Sequence, residues 1–105
     1  MPVETIAGVA VNLDAEGFMT DSSQWNRDIA AELARRSGIT SLTDRHRKVI
    51  DFCRKDAKDQ GEPPGVRRIT KMSGVDMKEI YALFPKGPGK LASLVSGLPK
   101  PKGCI

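Results

Sequence analysis

The sequence predicts a mainly α fold: a small helical bundle containing a helix-turn-helix-like unit, with an N-terminal β-hairpin and a flexible C-terminal arm. Three observations predict it. Apolar residues recur at helical spacing in successive stretches between about residues 23 and 96. Strand-like alternation is confined to the first part of the chain, about residues 5–19. The closing run Gly97 to Ile105 contains Pro99 and Pro101, which lack an N–H and hold φ near an extended value, so it cannot finish a helix. With 105 residues the chain is long enough for one small core. We expect a single domain over residues 1–96 and an arm over 97–105.

Thr5 to Leu13 reads as a strand, with Ile6, Val9 and Val11 apolar and Gly8 interrupting strict alternation. Asp14 to Gly17 supplies turn chemistry, and Phe18-Met19 returns as a short second strand. Asp21-Ser22-Ser23 offers an N-cap for a helix with Trp25, Ile29 and Leu33 on one face, ended by Gly38. Thr43 or Asp44 caps the next helix, which runs to about Gln60 with Val49, Ile50, Cys53 and Ala57 inward. Gly61 stops it and Pro63-Pro64 makes a rigid joint. Short helices are expected from Gly65 to Met72, from Asp76 to Leu83, and, after a Pro85–Pro88 turn, from Gly89 to Val95.

Composition excludes several function classes. Aromatic residues make up only 5%, so aliphatic side chains must fill the core. The net charge of +4 suits acidic partners or tRNA-bound complexes without requiring nucleic acid. Cys53 and Cys104 have neither metal-ligand spacing nor the density of a secreted disulfide scaffold. No apolar run approaches membrane-spanning length and no signal-like segment follows Met1, so the expected location is the cytoplasm, with no membrane contact. His46 is the only histidine and reads as a helix-start hydrogen-bonding residue; no metal site is expected. With no Ser/His/Asp set and no phosphate-cradling loop, autonomous catalysis on a small substrate has no support, and no cofactor is implied.

Cys104 is the candidate reactive residue. It sits next to last on an arm with Gly97 and Gly103 as joints, which spans roughly 30 Å when fully extended. A thiol so placed can enter a partner's active site while the globular body stays outside. Lys100 and Lys102 favour its thiolate, and the terminal carboxylate of Ile105 opposes it. Cys53, at an inward helical position, reads as an inert core thiol.

In this light the chain resembles the DsrC/TusE sulfur-carrier proteins, which include the gamma subunit of dissimilatory sulfite reductase. The resemblance is carried by Asp14-Ala15-Glu16-Gly17-Phe18, Ser22-Ser23-Gln24-Trp25, Leu42-Thr43-Asp44-Arg45-His46, Val49-Ile50 and Pro64-Gly65-Val66-Arg67. It is strongest in Tyr81-Ala82-Leu83-Phe84-Pro85-Lys86-Gly87-Pro88, then Gly97-Leu98-Pro99-Lys100-Pro101 and Cys104. The resemblance implies a monomeric carrier that takes sulfane sulfur as a persulfide on Cys104 from an upstream sulfurtransferase donor. It would then pass that sulfur to a downstream acceptor, an enzyme of tRNA thiolation or of a sulfite reductase system. It also implies that Arg67 lies near the arm. Departures are equally plain. Ser93 stands where sulfite reductase members carry a second arm cysteine, so an intramolecular arm disulfide is impossible. Arg47 replaces a tryptophan, Asp56, Ala57 and Gln60 replace tyrosines, and the segment between Lys71 and Tyr81 is shortened. The chain reads as a divergent member with a single arm cysteine.

The alternative is a helix-turn-helix DNA-binding regulator, with Cys104 as a sulfur or redox sensor. Val66, Ile69, Met72, Val75 and Ile80 would pack inside such a unit, and Gly74 would make its turn. Arg68, Lys71 and Lys78 would form a basic partner surface. Against DNA reading, the second helix opens with Asp76 and includes Glu79, leaving Lys78 as its one cation.

Overall fold

The computed structural model describes residues 3–101 of the chain. Two antiparallel strands, β1 (Val3–Ile6) and β2 (Val9–Asn12), are followed by a 3₁₀ turn at Ser22–Gln24. Five helices complete the fold: α1 (Arg27–Arg36), α2 (Asp44–Gln60), α3 (Val66–Ser73), α4 (Met77–Leu83) and α5 (Pro88–Val95). The mainly α class with an N-terminal hairpin is as expected, but the hairpin is placed differently. The stretch Thr5–Leu13 is not one strand. It folds back on itself through Ala7-Gly8, with Ile6 opposite Val9 and Val3 opposite Asn12. Both turn residues have positive φ, 51° and 79°, the type I′ condition that matches strand twist. Phe18-Met19 contributes only one isolated bridge, Leu13 to Met19, because Asp14 turns the chain locally. Its carboxylate accepts from the N–H groups of Glu16 and Phe18 at 2.8 and 2.9 Å.

The first helix also begins later than its apolar spacing suggests. Asp21 caps the 3₁₀ turn, Trp25 is extended, and Asn26 caps α1 by accepting from the Ile29 N–H at 2.8 Å. Helix α2 starts as read. Thr43 and His46 form a reciprocal cap, with His46 Nδ1 accepting from the Thr43 N–H at 3.1 Å. With Nδ1 accepting, Nε2 carries the proton and donates to the Leu83 carbonyl at 2.9 Å, joining α2 to the end of α4.

The core has two parts. A small cluster under the hairpin contains Ile6, Val11, Leu13, Met19, Ile29 and Leu33. The larger one gathers α1 to α5 around Val49, Ile50, Cys53, Ile69, Ile80, Phe84 and Val95. Trp25 and Leu94 touch both. Met72, expected inside the helix-turn-helix unit, is 55% exposed: it falls on the last turn of α3, beyond the face that buries Ile69.

Candidate functional site

The hydrogen bonds with the longest reach in sequence meet where α5 ends and the arm begins. Helix α5 buries Pro88, Gly89, Leu91, Ala92, Ser93 and Val95, so it is enclosed on nearly every side. Its C-terminus closes with the Leu98 N–H donating to the Ser93 carbonyl at 3.0 Å and the Gly97 N–H to the Leu94 carbonyl at 3.2 Å. This is the Schellman pattern, with Gly97 in the left-handed region at φ 71°. The carbonyls of the last residues of a helix have no intrahelical donor. Here side chains from distant elements supply them. The Trp25 indole N–H donates to the Val95 carbonyl at 2.9 Å. Arg54, on α2, donates one guanidinium nitrogen to the Ser96 carbonyl at 2.8 Å and the other to the Ser22 carbonyl at 3.3 Å. The guanidinium carbon stands 4.2 Å over the Trp25 ring centre, a cation–π contact. Partial burial lowers the Arg54 pKa, opposed by the nearby Asp51 carboxylate.

Gly97 and Leu98, assigned to the arm by sequence, are packed against the body: Leu98 is 4% exposed and belongs to the main core. Pro99 and Lys100 are exposed, Pro101 is buried, and Lys100 Nζ reaches the Glu16 carboxylate at 2.9 Å. An open groove of about 380 Å³, lined in part by Arg54, Lys58, Pro63, Leu98 and Pro99, runs along this root. Lys102, Gly103 and Cys104 lie outside the described residues.

The other nominated residues are spread over α3 and α4. Arg67 and Lys71 are exposed on α3 and Lys78 is exposed on α4. Arg68 is engaged: its guanidinium donates to both carboxylate oxygens of the buried Asp56 at 2.7 and 2.8 Å, and that pairing raises its pKa. Glu79 is likewise held by Arg45 at 2.6 and 2.7 Å, which lowers its pKa. The face of α4 therefore offers Lys78 beside two carboxylates.

Cys53 is fully buried, and burial pushes its thiol up to about 12, against the lowering effect of the Ser96 hydroxyl beside it. Ser93, also fully buried, has a side-chain hydroxyl without a hydrogen-bond partner among the described residues. Among the described residues no group of three His, Cys, Asp or Glu could hold a metal ion, and no helix is long and apolar enough to cross a membrane.

Sequence reasoning missed Arg54 entirely and read Trp25 as a helix-face residue. Arg54 follows the inward Cys53 on α2, and nothing in its local pattern announces a partner so far along the chain. The one available signal was the single Trp of the chain lying before the first helix.

Comparison with known proteins places this geometry in context. Residues 5–105 match the family described as DsrC like protein. The gamma subunit of dissimilatory-type sulfite reductase from Nitratidesulfovibrio vulgaris is 38% identical over 101 residues, covering 96% of each chain. Sulfurtransferase TusE from Escherichia coli is 36% identical over 105 residues, covering 93% of this chain and 95% of that one. Among solved structures, a chain of the crystal structure of dissimilatory sulfite reductase I superposes with a TM-score of 0.88 at 39% identity, covering 99% of this chain and all of that one. The oxidised gamma subunit from Archaeoglobus fulgidus gives 0.84 at 33% identity, with the same coverage. With an enclosed last helix, an anchored arm root and a match across nearly its whole length, the chain belongs to the DsrC family.

Proposed function

We propose that the protein is a sulfur carrier: Cys104 accepts sulfane sulfur as a persulfide from a donor sulfurtransferase and relays it to an acceptor enzyme. The observation that carries this reading is the arm root. Gly97 and Leu98 are fixed to the body while the following residues extend toward a penultimate cysteine, so one end of the arm is anchored and the other bears the thiol. The names of the relatives, sulfurtransferase TusE and sulfite reductase gamma subunit, agree with it. In loading, the Cys104 thiolate attacks the outer sulfur of a donor persulfide; an S–S bond forms at Cys104 and the donor leaves as thiolate. Delivery repeats the exchange toward the acceptor, with no net redox change and no cofactor. The body is residues 1–96 with its arm at 97–105, and it works as a monomer in the cytoplasm. Arg67 and Lys71 on α3 contribute to the surface that meets donor or acceptor.

The paired state of Arg68 and Glu79, and Lys78 as the one exposed cation of α4, disfavour the DNA-binding alternative. Incubation with inorganic polysulfide or a persulfidated sulfurtransferase, followed by intact-mass and peptide mass spectrometry, tests the carrier reading. The expected result is a gain of about 32 Da per sulfur on Cys104 and none on Cys53, because accessible thiolates react and buried thiols do not. Sulfur uptake that persists undiminished in Cys104→Ser would overturn it.

A further inference from the structure

We propose that Trp25 and Arg54 are positioning residues for the arm: by holding the last carbonyls of α5 they aim the chain that carries Cys104. The inference rests on the carrier reading and adds to it two residues that determine where the sulfur can be presented.

The carbonyls of Val95 and Ser96 lie next to a glycine, where a backbone swivel is easiest, and both could have been left to water. Instead each is held by a side chain from elsewhere in the fold, at 2.9 and 2.8 Å. The two side chains also hold each other, since the Arg54 guanidinium lies on the Trp25 ring and reaches Ser22 on the segment leading into it. A charge-assisted bond in a partly desolvated setting is stronger than an ordinary surface contact. The clamp also fits Gly97 closely. A Cβ there would stand 2.4 Å from Trp25 Cδ1, so the indole and the backbone turn share one packed space.

Geometry makes the consequence large. From Pro99 to Cys104 the chain spans about 17 Å when extended, so a swing of about 30° at the root moves the sulfur by about 9 Å. Transfer needs reacting atoms to approach within about 3.5 Å. The Lys100–Glu16 pair is an exposed contact and steers the arm only weakly. Aim is therefore set at the clamp.

Double electron–electron resonance on the full chain tests this, with one spin label on Cys104 and one on Asp59→Cys, an exposed site on α2. Cys53 is buried and stays unlabelled. The distance distribution should broaden and shift in Arg54→Gln, and also in Trp25→Phe, which keeps a ring but loses the N–H donor. Amide exchange at Leu98 should speed up about tenfold, as expected when one charge-assisted hydrogen bond is lost, while core amides of α2 keep their protection. Distributions unchanged in both variants would overturn the proposal. So would broadening that comes only with loss of α2 protection, because the two residues would then be supporting the fold and not the aim. Persulfide loading of unlabelled protein is read separately by mass. A chain that takes up no sulfur yet responds to Arg54→Gln sinks the carrier reading, and a chain that loads but does not respond sinks the clamp.

Discussion

Gly97 shows how much one hydrogen in place of a methyl can decide. Two independent constraints meet there: a φ of 71°, which side chains rarely adopt, and Trp25 atoms at 2.4 to 2.7 Å from where a Cβ would be. Either alone is tolerable, since a strained backbone position costs about 1–3 kcal/mol and overpacking a similar amount. Together they cannot both relax, because moving the indole away breaks its bond to Val95 and uncovers Arg54. Gly97→Ala should therefore lower stability by about 3 kcal/mol, read by urea unfolding. It should also shift the emission of Trp25, the single tryptophan of the chain. A variant with native stability and unchanged emission would show that the indole is not locked. Cys53 and Arg54 are chain neighbours with opposite fates: one faces the core and holds its proton, the other turns to the rim of α2 and holds a helix end.

At the scale of elements, α2 to α5 were legible in the sequence because each carries its own local punctuation. Thr43 and Asp76 provide caps, Gly61 and Gly74 end helices, and Pro88 opens α5. The hairpin was misplaced because Ala7-Gly8 is a weak turn signal beside the Asp14–Gly17 cluster, which does turn but pairs only a single bridge. Ala7 occupies a left-handed position, φ 51°, without the side chain usually found there. Asn accepts that conformation more readily than Ala, so Ala7→Asn should raise stability by about 0.5 kcal/mol without altering the sheet. A lower unfolding midpoint would contradict the type I′ assignment. The arm root was only half legible. Gly97 and the prolines announced a change of chain behaviour, but the tie from α2 to Ser96 spans 42 residues and leaves no periodic trace. The same holds for the buried Asp56 and its Arg68 partner, a charge on a face whose spacing read as apolar.

For the whole molecule, the two cysteines divide the chain into a sealed thiol and a presented one, and oxidation should reveal the division. Cys53 has no exposed surface and a thiol pushed up to about 12 from a usual 9.0, so at pH 8 it is neither reachable nor ionised. The sign of the linkage follows. A folded-state value above the unfolded one means that the folded chain holds its proton more tightly. The stability this contributes is complete below pH 9 and is lost as pH rises through the range 9 to 12. Below that range only Cys104 is available to an oxidant, and Ser93 offers it no partner on the arm. Treatment with diamide at pH 8 should accordingly give a disulfide-linked dimer on a non-reducing gel, with the two Cys104 thiols oxidised and diamide reduced to its hydrazine. Cys53→Ala should dimerise as the native chain does, and Cys104→Ser should remain monomeric. A compact oxidised monomer would require Cys104 to reach Cys53 through the packed layer of α5 and Trp25. Its appearance would mean that the core opens at the arm root, and both the sealed thiol and the fixed root would have to be abandoned together.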